Sequence, residues 1–237
     1  MSATPDAGLS GLARWNRLRY TLYAPIYDHV LARVPVFTRG RRRAIALADL
    51  RAGERLLLVA AGTGLDLPLV PAGVEVTAVD ITPAMLDRLR ARAGRLGRPV
   101  RAEVMDAARL DLPDASFDCV ALHLTLAVVP DPAATAREAA RVLRPGGRVS
   151  IFDKFLPRGR RPSLARRLFG AVADVVASDF NREVEPLLEG AGLHLTALEP
   201  VGFAGTFVAG RAEKPAGAAG GPPATARSTT TRPETQP

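Results

Sequence analysis

The chain has 237 residues, 47% of them apolar, enough to bury one core of ordinary size. Its formal charge is +8, which invites a nucleic-acid or anionic-membrane reading, but 30 of the 32 basic residues are arginine, so a compositional bias is a plainer source. One cysteine, Cys119, excludes a disulfide framework and a cysteine-based zinc cluster, and three dispersed histidines (His29, His123, His194) do not read as a metal site. No stretch of roughly eighteen uncharged apolar residues occurs, and the start MSATPDAGLSGLARWNR lacks the charged-then-apolar order of a secretory signal. The expectation is a cytoplasmic protein without a metal.

Residues 1–50 read as an N-terminal helical lid segment. Trp15 and all three tyrosines lie there, and Tyr20, Tyr23 and Tyr27, spaced by three and four, share one helical face that Pro25 divides. Such a face either packs on a sheet edge or closes over a ligand with aromatic walls.

Residues 51–211 alternate strand and helix signals, the pattern of an α/β fold. Strands are expected at Arg55–Ala60, Val74–Val79, Val100–Met105, Phe117–His123, Arg148–Phe152, Leu193–Leu198 and Phe203–Val208. Between them, Thr82 and Pro83 open a helix with Met85, Leu86 and Leu89 on one face. Asp131 and Pro132 open another that runs to Leu143 and stops at Arg144-Pro145-Gly146-Gly147. Ser163 begins a third. Only Glu199-Pro200-Val201-Gly202 separates the last two strands, too short for a helical crossover, so they form an antiparallel hairpin. The expected architecture is a seven-stranded, mostly parallel Rossmann-like sheet with that hairpin at its end and helices on both faces. Residues 212–237 contain no Leu, Ile, Val or aromatic residue and read as a disordered tail.

The chemistry is concentrated in LLLVAAGTGLDL, residues 56–67, a buried strand entering a glycine turn. Gly62 and Gly64 suit positive φ and close approach of a ligand, and the following turn offers free N–H groups. Asp80 ends the second strand, where a carboxylate can accept ribose hydroxyls, and Asp106 follows the third. Together these outline a nucleoside site.

AAGTGLDLP, AVDITPAML, VMDAARLDLPDASFD and RVLRPGG, in that order, resemble the class I S-adenosylmethionine-dependent methyltransferases over roughly residues 20–210. The resemblance implies S-adenosyl-L-methionine as cofactor, its methionine part wrapped by the turn Ala60, Gly62, Thr63 and Gly64. It implies further that Asp80 holds the ribose, that Ile81 and Met85 lie against the adenine, and that Asp106 and the Ala107 N–H meet the adenine edge. YAPIYD, GTGLDLP and LHLTLAVVPDP are most similar to the phosphatidylethanolamine N-methyltransferase and quinone C-methyltransferase branch, which implies a small or lipid-like acceptor. Two positions depart from the family pattern: Leu58 stands where an acid is usual, and Ala60 where a glycine is usual. Asp66 is then a candidate for the methionine ammonium, or else a first-turn acid answering a helix dipole.

Methyl transfer is an in-line displacement for which a protein supplies orientation and a dry pocket. His123, ending the fourth strand, is a candidate general base or substrate anchor, or a histidine that shapes the pocket. Asp153, ending the fifth, orients a substrate cation or forms an ion pair with Lys154. Tyr23 and Tyr27 are candidates to cover the sulfonium with a π-face. Cys119 reads as core. Arg158, Arg160, Arg161, Arg166 and Arg167 lie in an acid-free stretch beside an apolar stripe, which suits either a helix on the sheet face or peripheral contact with an anionic membrane. Arg39, Arg41, Arg42 and Arg43 would extend that surface if they shared it. Two other readings compete: a nucleic-acid methyltransferase, disfavoured because His123-Leu124-Thr125-Leu126 follows strand four where base-amine enzymes carry an Asn/Asp-Pro-Pro-aromatic motif, and a non-catalytic cofactor-binding or regulatory protein.

Overall fold

The computed structural model describes residues 34–154, 183–202 and 207–217. They form α1 (Pro35–Ala48), β1 (Arg55–Val59), a single 3-10 turn (Leu67–Leu69), β2 (Glu75–Asp80), α2 (Pro83–Arg95), β3 (Val100–Val104), β4 (Phe117–His123), α3 (Pro132–Val142), β5 (Leu143–Asp153), α4 (Val184–Glu189), β6 (His194–Val201) and β7 (Phe207–Glu213). Seven strands make one sheet in the order β3-β2-β1-β4-β5-β7-β6. β1 through β5 pair in parallel, while β7 lies antiparallel to both β5 and β6. Chain order reverses between β1 and β4, and in such sheets ligands bind beyond the carboxyl ends of the strands at that switch point.

Period-two alternation sends the central strands' side chains to two helical layers. Leu57, Val59, Val120, Leu122 and Ile151 pack with Ala139 and Val142 of α3 and Leu188 of α4. Leu56, Leu58, Cys119 and Ala121 pack on the other face with Ile45 and Ala48 of α1 and Leu86 and Leu89 of α2. Position 58, where the family pattern has an acid, is therefore filled by a buried leucine of the α1–α2 layer.

α1 lies over β5 and β7. Gly40 meets the ring of Phe152 so closely that no Cβ would fit. Phe152 stacks in turn on Phe207, centroids 5.7 Å apart. At the helix end Asp49 turns left-handed (φ 49), and Arg148 of β5 donates to the Ala48 carbonyl at 2.7 Å, satisfying a terminal acceptor. Outside, Arg43 forms a two-pronged pair with Glu199 of β6, both contacts 2.6 Å.

The helix starts agree with the sequence reading in position, although Thr82, expected to cap α2, forms no side-chain cap hydrogen bond. Pro83 and Pro132 stand at the first turns of α2 and α3, and Asp131 accepts the Ala134 N–H at 2.8 Å. Three expectations need correction. The helix stops at Val142, and Leu143–Gly147 is the first part of β5, whose register against β4 shifts between Phe117 and Cys119, with Gly146 at φ 75. The second hairpin strand begins at Phe207 and not at Phe203. It reaches Glu213, so Ala212 and Glu213 belong to the sheet and not to the tail. Lys214 belongs with them: its amino group donates to the Ala140 and Leu143 carbonyls at 2.7 and 2.8 Å, closing the end of α3. The aromatic segment Trp15–Tyr27, the helix expected from Ser163 and the five arginines 158, 160, 161, 166 and 167 lie outside the described residues. Among the described residues, no helix is long and apolar enough to cross a membrane.

Candidate functional site

A cavity of about 900 Å³, counted with its open mouth, lies at the carboxyl ends of β1, β2 and β4. One wall is the turn after β1. Ala60, Gly62 and Gly64 all take positive φ (51, 55 and 76). Three left-handed residues in five bend the chain back around the hollow, and the turn is closed by its own amides, the Ala61 N–H donating to the Val79 carbonyl and the Gly64 N–H to the Ala61 carbonyl. A side chain at Gly62 would meet nothing within 4 Å, whereas a Cβ at Gly64 would come within 2.9 Å of Leu89. Gly62 therefore borders open space, and Gly64 permits the turn to seat on α2. Arg92 of α2 clamps the turn from behind by donating to the Thr63 carbonyl.

Asp80 links this turn to the next. It accepts the Gly62 N–H and the Thr82 N–H, each at 2.8 Å, and it lines the cavity. Burial pushes its carboxyl above the ordinary value against the pull of those two N–H groups. A carboxylate offers about four acceptor positions, so capacity for ribose hydroxyls remains. Ile81, Met85, Asp106 and Ala107 line the same wall. Asp106 accepts the Ala108 N–H at 2.9 Å. Thr82, also lining the cavity, has a buried hydroxyl without a hydrogen bond.

Asp66 does not act as a first-turn cap: its side chain caps nothing and is buried beside Arg41 and His123. His123 Nδ1 lies 2.7 Å from Asp66 Oδ1, and Nε2 lies 2.9 Å from the Ser150 hydroxyl. With Asp66 ionised, Nδ1–H donates to it, and Nε2 shares the second hydrogen bond with the Ser150 hydroxyl. Burial opposes the charge on Asp66, but His123 and Arg41 outweigh it and hold the carboxyl below its ordinary value. His123 lines the cavity, yet both ring nitrogens are committed, which favours the pocket-shaping role over the general base.

Asp153 departs further from expectation. It is fully buried and absent from the cavity wall, and it accepts the Ala127 and Lys154 N–H groups at 3.0 and 2.8 Å. It ties the loop after β4 to the end of β5. Cys119 is core, its thiol pushed up to about 12 by burial. Tyr23 and Tyr27 lie outside the described residues. The arginines of α1 do not form one basic surface: Arg41 points inward and Arg43 is tied to Glu199.

Arg41 is the cavity residue that sequence reasoning missed, having been grouped with its basic neighbours. It lines the cavity at 6% exposure. The only signal available was its place in α1 on the same face as Ala44 and Ile45, which bury.

The fit of a nucleoside cofactor rests on this structure's own features: an open turn at Gly62, acceptors at Asp80 and Asp106, and the unpartnered Thr82 hydroxyl. Comparison with known proteins points the same way. Residues 57–151 match a family model described as a methyltransferase domain. The phosphatidylethanolamine N-methyltransferase of Cereibacter sphaeroides is 42% identical over 132 residues, 55% of this chain and 64% of that protein. The demethylmenaquinone methyltransferase of Deinococcus radiodurans is 39% identical over 155 residues, 63% of this chain and 61% of that protein. The chain thus spans less than two thirds of the length of these curated relatives. Among solved structures, the [4+2]-cyclase SpnF superposes with a TM-score of 0.73 at 18% identity, covering 86% of this chain and 97% of that one. Geranyl diphosphate methyltransferase in complex with SAM gives 0.64 at 16% identity, covering 75% and 85%. These structural likenesses speak for the fold.

Proposed function

We propose that this chain is a class I S-adenosylmethionine-dependent methyltransferase and that it transfers a methyl group to a small-molecule or lipid-like acceptor, with an amine of the phosphatidylethanolamine type as the first candidate. The observation that carries this is the cavity at the sheet's switch point, with the left-handed turn Ala60–Gly64 on one side and Asp80 and Asp106 on the other. The relative that supports an amine is the 42% identical phosphatidylethanolamine enzyme.

The bound cofactor supplies an electrophilic methyl on a sulfonium. The chain's residues do the rest. The open turn at Gly62 admits the nucleoside, and Asp80 and Asp106 supply its acceptors. Leu65, Leu124, Val128 and Val129 line the cavity with apolar surface that excludes water. Among the described residues lining it, the one histidine has both nitrogens occupied, so this reading assigns the acceptor's loss of a proton to its own desolvation and not to a protein base. A dry cavity lowers an ammonium's pKa and releases the lone pair that attacks. Peripheral contact with anionic membrane through arginines 158, 160, 161, 166 and 167 is part of the same proposal for a lipid acceptor.

The test is a methyl-transfer screen with labelled cofactor against extracted lipids, quinones and small amines. Label appearing in a lipid or small-molecule product is expected. Tight cofactor binding with no label transferred to any acceptor would favour the non-catalytic reading.

A further inference from the structure

Arg41 is a buried cation with too little to bind. Its guanidinium carries five N–H donors. Its nearest carboxylate oxygen, Asp66 Oδ1, is 3.4 Å away and already takes the His123 N–H at 2.7 Å. Arg41 Nε is buried and makes no hydrogen bond. The plane is held from below by the Phe152 ring, 5.9 Å from the guanidinium carbon. Burying a cation in this state is costly unless a ligand completes it. Asp66 stands beside it, and the contacts of its carboxylate to His123 and to Arg41 both fall on Oδ1. Both residues line the same cavity as Ala60, Ala61, Asp80 and Asp106.

We propose that Arg41 and Asp66 form a receptor for the zwitterionic amino-acid end of the cofactor, Arg41 taking the α-carboxylate and Asp66 the α-ammonium. This inference rests on the methyltransferase reading above. The pair answers the departure at position 58. Leucine there removes one anion from the turn, and the opposite charges of Arg41 and Asp66 restore a complement to a group bearing one charge of each sign. Helix α1 thereby becomes part of the cofactor site, held in place by Gly40 on Phe152 and by Arg43 on Glu199.

The test is calorimetry on the full chain with three probes: S-adenosylmethionine, its decarboxylated analogue, and methylthioadenosine, which lacks the amino-acid end. Wild type should prefer the complete cofactor over the decarboxylated one by about 10- to 100-fold, the range of hydrogen bonds to charged groups. Arg41→Gln should bring that preference to within about 3-fold while leaving methylthioadenosine affinity unchanged, and Arg41→Lys, which keeps the charge and loses the planar fork, should fall between. Asp66→Asn should weaken S-adenosylmethionine and spare methylthioadenosine. A preference retained in Arg41→Gln overturns the proposal, and would do so even if turnover fell, because Arg41 would then serve the acceptor. Equal weakening of all three probes in both Arg41 variants also overturns it, showing a structural role alone. If wild type binds none of the three probes, the methyltransferase reading itself fails; binding by wild type with unchanged discrimination in the variants sinks only the Arg41–Asp66 assignment.

Discussion

His123 Nδ1 donates to Asp66 Oδ1 across 2.7 Å, and this bond joins the last residue of β4 to the turn that follows β1. The pair spans the switch point of the sheet, so whatever loosens it loosens the cavity. His123→Ala leaves a carboxylate and the Ser150 hydroxyl without their partner in a buried place. It should cost about 3 kcal/mol of stability and weaken cofactor binding together with turnover. His123→Asn, whose amide can donate to Asp66, should recover much of the affinity. Calorimetry beside denaturant unfolding checks this; normal cofactor affinity with slow turnover in the alanine variant would instead place the ring on the acceptor.

Ala60 adopts φ 51 where a β-carbon is disfavoured. Left-handed backbone costs an ordinary residue about 1–2 kcal/mol, and glycine's freedom in the unfolded chain offsets part of the gain. Ala60→Gly should therefore raise stability by roughly 0.5–1 kcal/mol, read as a higher urea midpoint, while Ala60→Val should lower it. A glycine variant less stable than wild type would show that the methyl group packs usefully.

Acid unfolding carries a signature of the Asp66 environment. Its folded-state pKa is held below the ordinary 3.8, so its contribution is complete above that value and is lost as pH falls through the depressed one. Asp80 and Asp153 are raised by burial and act with the opposite sign, favouring the folded state as they protonate. The stability gap between wild type and Asp66→Asn should thus hold above about pH 5 and narrow as pH falls below about 4. Urea midpoints across that range measure it, and a constant gap would contradict the assignment.

Gly40 and Phe152 leave no room for a side chain between α1 and β5. Gly40→Ala should cost about 1–3 kcal/mol by overpacking and shift α1, moving Arg41 with it. Thermal unfolding should show a lower midpoint, and S-adenosylmethionine should bind more weakly. Wild-type behaviour on both counts would mean that the ring swings aside freely.

Much of this was legible in the sequence because local signals and tertiary outcome agree. Phe117–His123 was bounded correctly: it is a continuous apolar run buried on both faces. Asp131-Pro132 announced a helix by capping chemistry alone. β7 was misplaced because its apolar pattern is diluted: Gly210, Arg211 and Glu213 alternate with small residues, and only pairing to β5 makes the segment a strand. Asp153 looked available at a strand end, but the loop after β4 folds back onto it. Arg41 was unreadable for a different reason. Its burial depends on Asp66 and Phe152, far along the chain, and the one local signal, a helix face shared with Ala44 and Ile45, is too slight to set it apart from its basic neighbours.

The double clasp of Lys214 on the last carbonyls of α3 has a practical side. Fusion partners, purification tags and shortened versions of the chain can be joined after residue 217 without touching the sheet. A cut at the compositional break at 212 would remove the end of β7 and unfasten α3 with it, and the resulting loss of solubility would be easily misread as a property of the missing tail.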